Sequence, residues 1–165
     1  MKKDDEFGRV VAKTLAAFAL AAVPAAAQGC DLQPDRMSVL IGSDHIGAQG
    51  EMNGRNPGLF VSWNCKGFEV SAGAYQNSYD NQSVAGTVSY AVLQKGWFKS
   101  SPFLGLARYP EYGELQVVSY GDIVPLVGLQ TVVGNAFVQV LPGDQETVDV
   151  VIAFGLTFEI GRAGQ

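Results

Sequence analysis

A single histidine and two cysteines in 165 residues leave the chain without the close run of nitrogen and sulfur donors that a zinc site needs, and no metal or other cofactor is expected. Positive charge is scarce as well. Lys2, Lys3, Arg9 and Lys13 crowd the start, so residues 29–165 hold only Arg36, Arg55, Lys66, Lys95, Lys99, Arg108 and Arg162 against an acidic excess. A basic stripe for phosphate backbones is missing, which excludes nucleic acid as a partner. Long apolar runs are missing too: the stretch Leu15–Val23 falls short of the roughly 20 residues of a membrane-spanning helix. Helical periodicity is absent downstream, where no window holds apolar residues three and four apart and glycine is spread through every segment.

The early basic residues, the apolar run and the small-residue stretch Ala25-Ala26-Ala27 together read as a secretory signal, despite the unusual Asp4, Asp5 and Glu6. The expected division is a signal peptide over residues 1–28 and one domain over 29–165. Cys30 and Cys65 both lie beyond the cleavage point. In an oxidising envelope such a pair favours a disulfide, with two free thiols as the alternative.

What the chain does have is period two. Val148, Val150, Ile152, Phe154, Leu156, Phe158 and Ile160 alternate with Asp149, Val151, Ala153, Gly155, Thr157 and Glu159, so one face is large and apolar and the other small or polar. A soluble sandwich would turn the large face inward; a small membrane barrel would turn it to lipid. The length of this strand favours the second, being longer than the usual five or six residues and enough to cross a bilayer when tilted. Comparable segments are expected at 37–44, 58–63, 68–77, 83–93, 103–109, 117–132 and 136–141. The fold class is all-β: an eight-stranded antiparallel up-and-down β-barrel of outer-membrane type, whose closure satisfies every backbone group.

Turn chemistry orients this barrel. The connections 64–67, 94–102 and 133–135 are compact, whereas those after 44 and 109 are longer and polar, as outer loops are. Cys30 and Cys65 fall together at the inner rim, and Trp63 and Trp97 lie beside inner turns, where amphipathic rings favour the membrane interface. His45, Asn77 and Ser78 fall at the outer rim. Strands one and three are about 10 Å apart, twice the interstrand spacing, so His45 and Ser78 form the one plausible pair of base and nucleophile; a serine hydroxyl needs such a base.

The order of His45, Asn53-Gly-Arg-Asn-Pro57-Gly58, Tyr75-Gln-Asn77-Ser78-Tyr79, Ala85-Gly86, Ile123-Val-Pro125-Leu126 and Val140-Leu-Pro142-Gly143 resembles the PagP family. These are outer-membrane enzymes that move a palmitoyl chain from a phospholipid to lipid A. The resemblance spans roughly His45 to Ile160 and implies a catalytic His45, Asn77 and Ser78. It also implies substrate contacts at Pro57, Tyr75, Tyr79, Ser89, Pro125 and Pro142, with the two wall prolines keeping a lateral opening. The implied partners are a phospholipid and lipid A in the outer membrane, and the implied state is a monomer.

Two positions differ from the family pattern. Asn77 stands where the family has aspartate, and an amide does not stabilise an imidazolium as a carboxylate does; Asp44 and Asp80 are the candidate substitutes. Counting from Ser78, Ser89 occupies the position of the glycine against which the family measures chain length, which implies a raised floor and an acyl group shorter than palmitoyl. Ser71, Gly73, Gly86 or Thr87, Ala153 and Gly155 are the other small residues expected along the inner wall. The family's helix before the first strand has no counterpart in Asp31–Arg36. A non-enzymatic lipid-binding barrel and a soluble lipocalin-like carrier are the alternative functions.

Overall fold

The computed structural model describes residues 33–110, 119–143 and 148–160. The expected signal peptide and Cys30 lie outside these residues. Among the described residues every regular element is a strand: β1 (Arg36–Ile46), β2 (Gly58–Cys65), β3 (Phe68–Gln76), β4 (Gln82–Tyr90), β5 (Leu93–Lys95), β6 (Phe98–Arg108), β7 (Ile123–Val133), β8 (Ala136–Pro142) and β9 (Val150–Glu159). All ladders are antiparallel, and β4 pairs with β6 while β1 pairs with β9. The result is a closed eight-stranded up-and-down barrel in which the short β5 is an appendage, hairpinned onto the start of β6.

The expected fold is therefore the observed one, with differences at strand ends. The fourth segment stops at Tyr90, with two residues between it and β5, and the fifth starts at Phe98. The sixth was expected from Val117, which lies outside the described residues; β7 begins at Ile123. Tight turns gather at one rim, here called lower. Lys66 and Gly67 there both have positive φ, 51° and 91°, as a two-residue hairpin turn of primed type requires. The long connection 47–57, with residues 109–110 and 119–122 of the connection between β6 and β7, lies at the upper rim.

Alternation acquires a direction once the barrel closes. Val39, Leu59, Leu104, Val127, Val138, Phe154, Leu156 and Phe158 are exposed on the outer wall, whereas Ser62, Ser89, Ser101, Ala153 and Thr157 are buried inside it. Large apolar side chains face out and small or polar ones face in. At the lower rim Trp97 projects outward and Phe68 packs against Tyr90 at 5.3 Å.

Three inward phenylalanines share one arrangement. Phe60, Phe103 and Phe137 each sit directly opposite a glycine of the adjoining strand, Gly73, Gly128 and Gly155 respectively. Each ring lies over that glycine, since a Cβ built there would collide with it. The bare backbone makes room for a large side chain within a small barrel, whose interior is only just wide enough for its own side chains. At Gly155 an added methyl would also strike the Val39 carbonyl oxygen, which belongs to the backbone of β1 and has nowhere to move. Gly155→Ala is expected to destabilise the barrel by about 1–3 kcal/mol, read as a lower midpoint in equilibrium urea titration.

The lower interior is polar. Lys99 Nζ lies 2.6 Å and Arg36 Nε 3.9 Å from Glu69 Oε2, and Arg36 also pairs with Glu159 at 2.9 Å. Ser62 with Ser71 and Ser38 with Thr157 form hydroxyl pairs at 2.8 Å, and Gln139 donates to Gln130 at 2.7 Å. Polar atoms inside a low-dielectric barrel require such partners. Cys65 is buried and disulfide-bonded.

Candidate functional site

The ladder between β1 and β2 runs only from Arg36↔Ser62 to Leu40↔Gly58, so the upper half of β1 has no β2 neighbour. The segment 53–57 takes that place. Ser43 N–H donates to Gly54 O at 2.9 Å, Asn53 N–H to Ser78 O at 3.0 Å and Gln76 N–H to Pro57 O at 2.9 Å, so this loop is tied to β1 on one side and to the end of β3 on the other. A bulge between Leu40 and Gly42 re-aims the upper part of β1. His45 and Ser78, carried by strands that are not neighbours, thereby meet: Ser78 Oγ lies 2.7 Å from His45 Nε2. That distance is within the reach of a general base for the proton it abstracts.

Two further polar groups complete the chain of contacts. Ser43 Oγ is 3.5 Å from the same His45 nitrogen and donates a short hydrogen bond to Asn56 Oδ1. In the tautomer with the imidazole hydrogen on Nδ1, the Ser78 hydroxyl donates to Nε2, the arrangement a general base requires.

Asn77 has a different task from the one its neighbour Ser78 suggested. Its side chain is fully buried, with Nδ2 donating to Ser83 Oγ at 3.0 Å and Oδ1 accepting from the N–H groups of Tyr79 at 2.9 Å and Asn81 at 3.0 Å. This is an Asx-type arrangement that shapes the β3–β4 turn, in which Asp80 has a φ of 64°. Asp44 accepts from its neighbour's backbone, the His45 N–H, at 2.9 Å, and Asp80 accepts from Asn53 Nδ2 and from Gln76 Nε2. Among the described residues no carboxylate hydrogen-bonds the His45 ring, so the site is a Ser–His dyad.

The dyad stands at the mouth of a cavity of about 220 Å³ that runs down the barrel. Its upper wall is apolar, from Leu40, Ala85, Val124, Leu126, Leu141 and Val151, and towards the lower rim it meets Ser38, Ser62, Glu69, Ser71, Gln130 and Gln139. Tyr75, Tyr79, Pro125 and Pro142 also line it, and Tyr75 meets Tyr109 edge to face at 6.2 Å. Burial pushes the Tyr109 phenol, just above β6, up from its ordinary value, so it stays neutral. Pro57 lies outside this cavity, in a shallow depression with Gln76 and Asp80. Ser89 is buried opposite Phe103 in the β4–β6 ladder, and Thr87 lines the cavity on β4 instead. Gly86 faces outward.

One side of the wall is incomplete. The β7–β8 ladder ends at Leu129↔Val140, so residues 123–128 of β7 have no partner in β8; Pro125 lies within that stretch and Pro142 ends β8. Proline supplies no ladder donor and sits where pairing is interrupted.

Asn56 and Ser43 went unmarked as functional residues in the sequence, because a loop asparagine and a strand serine carry no motif of their own. A faint signal existed in Pro57, which forces the residue before it into an extended conformation. No protein-family model matches the chain, and a search of curated proteins returns no match.

Proposed function

We propose that the protein is an outer-membrane acyltransferase that moves a fatty acyl chain from a phospholipid to a hydroxyl of lipid A. The observation that carries this reading is the 2.7 Å contact between Ser78 Oγ and His45 Nε2 at the mouth of an apolar-walled well. The resemblance of its motif order to that of the PagP family supports it, as does the interrupted wall between Pro125 and Pro142, through which an acyl chain enters sideways. The outward apolar wall, exposed aromatic side chains at the lower rim and principal strands of 9–11 residues (β1, β3, β4, β6, β7 and β9) support a membrane setting. A soluble carrier would turn its large apolar face inward, the reverse of this barrel.

His45 accepts the Ser78 proton as Oγ attacks the ester carbonyl carbon. The bond from that carbon to the lysophospholipid oxygen breaks, and the leaving oxygen takes the proton from His45. The acceptor hydroxyl then attacks the acyl-serine ester, giving its proton to His45, which returns it to Ser78 as the acyl–serine bond breaks. The exchange is redox-neutral and needs no cofactor. The polar lower tier limits chain length, because a saturated chain pressed onto Gln130, Gln139 and Glu69 would strip them of water without offering a hydrogen bond. The acyl group is therefore shorter than palmitoyl.

The test is mass spectrometry of lipid A from cells expressing the wild type or Ser78→Ala. The expected result is one added acyl chain, lighter than palmitoyl, with the wild type and none with the variant. A chain that survives the alanine change removes Ser78 from the mechanism, and no added chain from either protein favours an inert barrel.

A further inference from the structure

Attack on an ester moves the carbonyl π pair onto oxygen, and a dyad alone offers nothing to hold that charge. Backbone or side-chain donors aimed at the developing oxyanion usually supply the largest single part of such catalysis. Asn56 lies beside the dyad, with Ser43 between it and His45. It is 3 % exposed, lines the cavity, and accepts from Ser43, whose Oγ lies 3.5 Å from the nitrogen that receives the Ser78 proton. Its Oδ1 is occupied by the Ser43 hydroxyl, and among the described residues its Nδ2 hydrogens have no acceptor. An amide whose acceptor side is fixed and whose donor side is unpaired in a cavity is a group prepared to bind a negatively charged oxygen.

Its backbone is also held in place. Pro57 restricts the conformation of Asn56, the Pro57 carbonyl accepts from Gln76, and the Gly54 carbonyl accepts from Ser43. The donor thus needs little reorganisation at the moment of reaction, the condition under which such a group stabilises a transition state rather than a ground state.

We infer that Asn56 is a catalytic residue: its Nδ2–H binds the oxyanion formed when Ser78 attacks the ester carbonyl, and releases it as the leaving oxygen departs. The inference rests on the acyltransferase reading. Its test uses Asn56→Asp, which keeps an oxygen to accept from Ser43 while removing the donors, and Asn56→Ala as a second variant. Steady-state transfer is measured in mixed micelles of phospholipid and lipid A, together with the rate at which a fluorophosphonate labels Ser78, since that adduct also places a negatively polarised oxygen in the same position.

Both variants are expected to lose about 100-fold in kcat with KM within about threefold of wild type and to label at a similarly reduced rate, while a urea midpoint lowered by the changed Ser43–Asn56 bond still leaves both folded under assay conditions. Asn56→Asp retaining near-wild-type kcat and labelling would overturn the inference and assign Asn56 a purely supporting role through Ser43. So would a loss confined to KM, or one no larger than the unfolded fraction of the variant accounts for. A wild type with neither transfer nor Ser78 labelling overturns the acyltransferase reading itself, and this inference with it.

Discussion

His45→Gln is expected to lower acyl transfer by about 10³-fold or more, and Ser78→Ala added to it is expected to lower the rate little further. The contact of Ser78 with Nε2 is the route for the proton, and general base assistance of this kind is worth about 10²–10⁴-fold. Residues that act as a unit lose most of their joint effect when either is removed. The dyad is such a unit by geometry: Ser43, the other hydroxyl near that nitrogen, gives its proton to Asn56, so Ser78 is the hydroxyl that His45 can deprotonate. Initial rates with labelled phospholipid for the wild type, both single variants and the double variant decide the matter. A double variant that falls by the product of the two single losses would show that the two side chains act independently.

Glu69→Ala is expected to destabilise the barrel by about 3–5 kcal/mol, the largest stability loss among these substitutions. The Glu69 side chain is 8 % exposed, against 15 % for Arg36 and 17 % for Lys99, so its carboxylate is the shared counter-charge of two cations drawn out of water. Arg36 keeps Glu159 at 2.9 Å, but that partner is exposed and screened. Lys99 loses the carboxylate at 2.6 Å, and the Nε of Arg36, already without a hydrogen-bond partner, loses the negative charge beside it. The destabilisation follows from leaving buried charge uncompensated. Equilibrium urea unfolding of the purified variant measures it, and a midpoint equal to wild type would show that water reaches the lower interior freely.

The strands were legible because alternation depends only on the pleat. Val148 to Ile160 declared its two faces in the amino-acid order, and the closing pair β1–β9 followed from an even count. Which face looks outward was settled only by closure, since a soluble sandwich and a membrane barrel share one pattern with opposite direction. His45 and Ser78 were legible as a pair because strand order limits how far apart they can be. The start of β2 at Gly58 was legible as well, whereas the bulge after Leu40 was not; both help bring the pair together. Asn77 misled for a physical reason: standing beside Ser78 in sequence, it turns its side chain the other way and spends its hydrogen bonds on the turn. Ser89 misled because counting along a strand fixes the side of the wall but not what lines the cavity at that height.

The uneven pairing of β1 bears on the order of assembly. Its lower half is held by β2, but the half that carries His45 is held along the ladder by β9 alone, through Ser43↔Ala153, Asp44↔Ile152 and His45↔Val151. Those are the first and last strands of the barrel, the contact of greatest sequence separation and the one that loop entropy makes slowest to form. The imidazole is therefore set in place by the final seam. On the proposed function, a chain whose strands have formed but not joined holds Ser78 without its base, so acyl transfer arrives together with closure and not before it.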